Sequence, residues 1–185
     1  MASNNVNLGI GLVTGMFYTA PVNTALPAYP GDSTGLASWT EAGAITADGI
    51  TWSTGKDSDP LRNWAKVVER LVASDEGGTV QAGLMYTTQK TLETVFGADN
   101  VTVVAADSNH GELVSVTVAP GVSAPPKAFL FIGKDGDDMF MLGTSNGIVR
   151  DVDDVSFSPT EAITWTATIE ASSWTFMKDD GQVTS

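Results

Sequence analysis

The chain's 185 residues and 19.3 kDa correspond to one domain, which at this size buries roughly 70% of its unfolded surface and needs no metal or disulfide staple. With 22 acidic against 9 basic residues its net charge is −13, and no basic patch is legible, which excludes a nucleic-acid binder held by charge attraction. The lack of Cys removes disulfides, thiolate zinc sites and cysteine nucleophiles, and a single His, His110, removes any multi-His metal site within one chain.

Residues 1–38 read as an extended arm. Pro21, Pro27 and Pro30 with Gly31 and Gly35 forbid a long helix, while Met16, Phe17, Tyr18, Leu26 and Tyr29 are apolar anchors that a plain linker lacks. The expectation is an arm ordered by packing on neighbours. Within it, Leu8 to Phe17 is interrupted by Gly9, Gly11, Thr14 and Gly15, so neither a secretory signal nor a membrane span is expected.

Residues 39–185 read as a single domain whose signals are mostly those of strands. Ile45 to Trp52 alternates with Ile50 and Trp52 on one face. Residues 64–73 then fit two templates. Trp64, Val67, Val68, Leu71 and Val72 follow a helical stripe behind Asp59-Pro60, yet Val67, Leu71 and Ala73 can equally face away from Val68, Arg70 and Val72 in a strand. Thr88 to Gly97 is a clearer helix, capped by Thr88, stopped by Gly97 and striped by Leu92, Val95 and Phe96. Further on, Val114, Val116 and Val118 alternate with Ser115 and Thr117. Ala128 to Ile132 is apolar on both faces, so either two layers or a second subunit must cover it. Asp135-Gly136 predicts a hairpin back through Met139 to Leu142, and Asn146-Gly147 predicts a second turn. In Ile163 to Ile169 the apolar Ile163, Trp165, Ala167 and Ile169 alternate with three Thr, as a half-buried strand does.

Catalytic and ligand-binding patterns are weak. Gly9, Gly11 and Gly15 miss the dinucleotide spacing by one residue, with no strand before them and no phosphate-binding Lys after. Lys134 to Asp138 lacks the spaced ligands and closing Glu of a calcium loop. His110 sits among turn formers, far from any pattern of a nucleophile elbow. Asp151, Asp153 and Asp154 read as a solvated strand end. No enzyme activity and no cofactor are expected.

The order of these segments resembles the major tail protein that forms the tail tube of long, non-contractile-tailed bacteriophages. The resemblance rests on Ala47 to Ser53, the charged segment Lys56 to Arg62 with Asn63-Trp64, Val67 to Leu71, and Thr91 to Gly97. It continues through the hairpin before Asn146-Gly147, Asp153-Asp154-Val155 and the strand Ile163 to Ala171. It implies a mainly β fold, a tail-tube type β-sandwich or barrel with one short flanking helix at about 88–97. It also implies six-membered rings of self-association stacked into a hollow tube. In such a subunit residues 64–73 are a strand, so strand is taken over the helical count. Lys56, Asp57, Asp59, Arg62 and Trp64 become candidate contacts between rings. Expected partners are further copies of the chain together with tape-measure, tail terminator and baseplate proteins, in a virion tail assembled in the host cytoplasm. DNA passes through without specific binding, and no membrane is involved. Another virion β-domain, such as a capsid decoration or carbohydrate-binding protein, is the alternative class.

Overall fold

The computed structural model describes residues 10–11, 17–32, 34–55, 58–62, 64, 68–73, 77–119, 124–135 and 137–180. The chain opens with strands β1 (Ile10–Gly11), β2 (Phe17–Pro21), β3 (Thr40–Gly43) and β4 (Ile45–Ser53). Strands β5 (Ser58–Arg62), β6 (Val68–Ala73) and β7 (Gly78–Leu84) lead to helix α1 (Gln89–Phe96). After it come β8 (Val101–Val104), β9 (Leu113–Val116), β10 (Lys127–Asp135), β11 (Asp138–Val152), β12 (Trp165–Ala171) and β13 (Thr175–Asp179). The fold is the expected one, mainly β with a single short α-helix.

Nine strands form one antiparallel sheet in the order β3-β2-β10-β11-β12-β7-β4, with β1 added to β10 and β13 to β11. Strand β11 makes this possible by its length. Its first half, Met139 to Gly143, pairs with β13, and its second half, Gly147 to Val152, pairs with β12. The sheet closes on itself as a sandwich, so that Phe17, Phe129, Phe131 and Leu142 from one half meet Val80, Ala82, Leu84, Ala167 and Ile169 from the other. Phe17 stacks on Phe131 with ring centroids 4.7 Å apart, a geometry that adds to the burial itself.

The doubly apolar strand is covered from within. Phe129 and Phe131 face the sandwich core, while Ala128, Leu130 and Ile132 face a second cluster with Ala20, Trp39 and Met141, closed over by Leu26 and Leu36. Of the two alternatives, cover by two layers of the same chain is the one found. Trp39, Trp165 and Trp174 are likewise used inside the chain, which accounts for three of the five Trp without an interface.

The second predicted turn is also corrected. Asn146-Gly147 lies inside β11, where Lys127 faces Gly147 but Phe129 faces Thr144, so the extra residue is absorbed as a bulge. Gly147 is buried there, and a Cβ on it would lie 3.0 Å from the Phe129 ring. Close approach of the ring, rather than a reversed chain, is what the glycine permits. The first hairpin does form, with Asp135 facing Asp138 across Gly136-Asp137.

Helix α1 has eight residues, shorter than a three-turn reading, and its ends are those foreseen. The Thr88 hydroxyl accepts from the Thr91 amide at 3.2 Å, and Gly97 ends the helix at φ 88°, a value costly for residues with a Cβ. Leu92 and Val95 are buried and Phe96 is half-buried, edge-on to Trp165 at 5.5 Å. Thr91 is buried as well, and its hydroxyl donates to the Ala42 carbonyl at 2.8 Å, tying the helix to β3. Thr91→Val keeps the shape but strands that carbonyl, so urea unfolding should show a loss of about 1–3 kcal/mol, with Thr91→Ser losing less.

Candidate functional site

The segment expected to make contacts beyond the subunit is a projecting hairpin. β4 and β7 run as partners until Ser53 faces Thr79, and the chain then continues into β5 and β6, which pair only with each other in a separate two-stranded sheet. Asp59 faces Val72 and Arg62 faces Val68, with a register shift between Leu61 and Arg62. The strand reading of this region therefore holds for 68–73, and the helical stripe that competed with it does not form there. The strand begins later than expected: Trp64 is a turn residue, and 65–67 lie outside the described residues. Val68, Val72 and their neighbours satisfy their backbone groups through β5, and β-branched residues suit that arrangement.

Of the five candidate contacts, Asp59 and Arg62 thus fall on β5 and Trp64 on the turn, while Lys56 and Asp57 lie outside the described residues. Trp64 is fully exposed. Water around an indole on every side is unfavourable, and a Trp placed so is a ready contact for another surface.

The arm anchors divide differently. Phe17 is buried in the sandwich core, and Tyr18 and Leu26 pack on the second cluster. Burial, with the Glu41 carboxylate second, raises the Tyr18 phenol pKa above its ordinary value. Tyr29 is exposed, and Met16 lies outside the described residues. The 17–32 stretch reaches the sheet of its own chain, with β2 between β3 and β10.

Two concave surfaces were missed by sequence reasoning. One is a groove of about 440 Å³ whose lining includes Val95, Phe96, Val118 and Val152 together with Asp151, Asp153 and Asp154. The alternation of Val149, Val152 and Val155 with these acids was its only signal, and a solvated strand end explains the acids equally well. Asp153 accepts a hydrogen bond from Gln81 at 3.1 Å, and Arg150 is turned to Glu170 at 2.7 Å. The other is a cleft of about 420 Å³ between β4 and the β10-β11-β13 face, where exposed Trp52 and Phe176 stack at 6.5 Å. Neither ring is near the other in sequence, so no local pattern announces the pair.

Elsewhere the charges are arranged for solubility and local order. His110 is exposed in its turn, its ring 3.2 Å from Asp107, whose carboxylate also accepts the Asn109 and His110 amides and is held below its ordinary pKa by them. Lys127 is shifted in the same direction by a different cause: burial pulls its pKa down, Glu93 opposes, and its Nζ donates to the Glu93 carbonyl at 3.1 Å. No group of three or more metal-ligating side chains comes together among the described residues.

Sheet edges at β3 and β4 that pair with no further strand among the described residues, a hairpin outside the main sheet and apolar rings left in water describe a structural β-protein built to be joined to others. That class narrows at once. The family model of the phage tail tube protein matches residues 1–180, and the chain belongs to that family. No curated protein matches the sequence. Membership makes the chain a structural subunit that self-assembles into the tube of a phage tail.

Because Trp64 is fully exposed, Trp64→Ala should leave the unfolding free energy of the monomer within about 0.5 kcal/mol of the parent. The same substitution should remove the most acrylamide-quenchable part of the tryptophan fluorescence, since Trp39 is buried, Trp165 and Trp174 are half-buried, and Trp52 is 37% exposed against 103% for Trp64.

Proposed function

We propose that six copies of the chain form a ring, that rings stack into a hollow tube, and that the tube conducts genomic DNA into the host through a neutral-to-acidic lumen. The observation that carries the conduit is the charge. At −13 per chain, a ring of six holds roughly −78 charges, with repulsion screened beyond about 8–10 Å at moderate salt. Each Lys or Arg bonded to a passing phosphate acts as a brake, so a channel for a polyanion works best when its wall offers none. The free edges of β3 and β4 support a ring in which neighbouring sheets join and close their edges.

The projecting hairpin supports contact between rings, with Lys56, Asp57, Asp59, Arg62 and Trp64 as its contact residues. Opposite charges there fix register more than they add affinity. The exposed arm residue Tyr29, with Met16, is a second candidate for contact between copies. Tape-measure, tail terminator and baseplate proteins complete the assembly, which forms in the host cytoplasm. DNA is cargo, not ligand.

Electron microscopy of the concentrated purified protein should show hollow tubes or six-fold rings; a discrete monomer or trimer at every concentration contradicts the reading. Once the lumen side chains are located in such tubes, replacing lumen acids with Lys should slow DNA ejection from the virion. Unchanged ejection kinetics would count against the repulsive lumen.

A further inference from the structure

The sandwich has two outer faces, and among the described residues the chain lays a covering segment over one of them. Above β10 and the first half of β11 lie Leu26, Leu36 and Trp39, all from the segment that joins β2 to β3. The other face, carried by β4, β7, β12 and the second half of β11, is open, with Thr51, Ser53 and Gln81 exposed. Alternation fixes what it presents. Val80, Ala82, Ala167 and Ile169 point into the core, so the residues between them point out. The register lines these up, Thr51 beside Gln81 and Thr168 in one row, Ser53 beside Thr79 and Glu170 in the next.

Little on this face can hold a phosphate. Of the cations outside residues 54–73, Lys90 is on α1, Lys127 and Lys134 are on β10 and Lys178 is on β13, which leaves Arg150, at the bulge between Val149 and Asp151. Arg150 is already engaged. Its Nη1 donates to Glu170 Oε2 at 2.7 Å, from β11 across to β12. The side-chain amide of the face is engaged in the same way, Gln81 Nε2 donating to Asp153 Oδ2 at 3.1 Å. Both nitrogen donors are thus turned to carboxylates of their own chain, and the groups left open are hydroxyls. Neutral hydroxyls displace no counterions from DNA, and that displacement supplies most of the affinity for a phosphate backbone.

We propose that this open face is the surface past which DNA travels, and that Glu170 keeps it from gripping by occupying Arg150, as Asp153 occupies Gln81. This rests on the conduit set out above and names its wall and the residues that keep the wall slippery. A bare guanidinium offers each passing phosphate a charged, two-pronged contact, repeated in every copy around the bore. With Glu170 attached, a phosphate that approaches Arg150 also meets a carboxylate, and repulsion between the two anions offsets the attraction. Folding gives the pair little purpose. Its side chains are 67% and 39% exposed, and ion pairs so exposed contribute little to stability. Loss of Glu170 therefore registers in transport rather than in folding.

Glu170→Gln should slow DNA ejection from virions built with the variant by about twofold or more, and the slowing should grow as salt is lowered. Adding Arg150→Gln should restore the parent's rate, a rescue that a merely structural role would not give. Glu112→Gln removes the same charge beside the start of α1 and should leave the rate unchanged. Ejection at the parent's rate with Glu170→Gln alone, no recovery in the double variant, or equal slowing by Glu112→Gln overturns the proposal. A second measurement tests the placement without ejection. The chain has no Cys, so Thr168→Cys creates a single labelling site on this face. In assembled tubes it should react with a small maleimide and be shielded from one carrying a polymer too bulky for the bore. Reaction with both reagents, or with neither, overturns the placement. If the unaltered chain forms no hollow tube, the conduit reading itself fails, so the two failures are distinguishable.

Discussion

Four large apolar residues in a row, Phe129 to Ile132, can be satisfied only if a strand is covered on both faces and paired on both edges. Strand β10 meets all four demands: β2 and β1 lie along one edge, β11 along the other, and a core cluster sits on each face. These side chains are each 3% exposed or less, and at about 1.5–3 kcal/mol apiece their burial together is comparable with the net stability of a whole domain. The rest of the architecture follows from that demand. The segment from Pro21 to Trp39 is laid across the outer face because Leu26, Leu36 and Trp39 are needed there. The sheet folds over on the inner face because Val80, Ala82, Ala167 and Ile169 are needed opposite Phe129 and Phe131.

Covering β10 from within leaves the assembly surfaces elsewhere. A subunit that relied on its neighbour to bury this strand would be unfolded or aggregated before assembly, with a hydrophobic edge exposed to every other copy. Here the sandwich satisfies itself, and among the described residues the outside carries the unpaired edges of β3 and β4, the stacked rings of Trp52 and Phe176, exposed Tyr29, Val118 and Phe157, and the hairpin with Trp64. A net charge of −13 keeps free copies apart.

How far the sequence disclosed this depended on whether the deciding interaction was local. Helix α1 was legible because its cap, stop and stripe all lie within ten residues. β12 was legible because alternation of Trp165, Ala167 and Ile169 with Thr is a one-strand property. Asn146-Gly147 misled because a turn-forming pair can also serve a bulge, and the choice was made by Phe129 and Ile169, both distant in sequence. In 64–73 the helical stripe was real as a pattern, but backbone pairing of Val68–Ala73 with Ser58–Arg62 prevailed, and the family resemblance was what favoured the strand over the helical template. The acid-edged groove stayed hidden because its floor is assembled from α1, Val118 and β11, three pieces of chain with no common period.

The central claim is that copies of this subunit enclose a passage whose wall does not hold nucleic acid. A reconstruction of the assembled tube at side-chain resolution tests it most directly. The account predicts a continuous axial bore on whose surface acidic side chains equal or outnumber basic ones. A filled axis, or a bore lined with Lys and Arg, would contradict it.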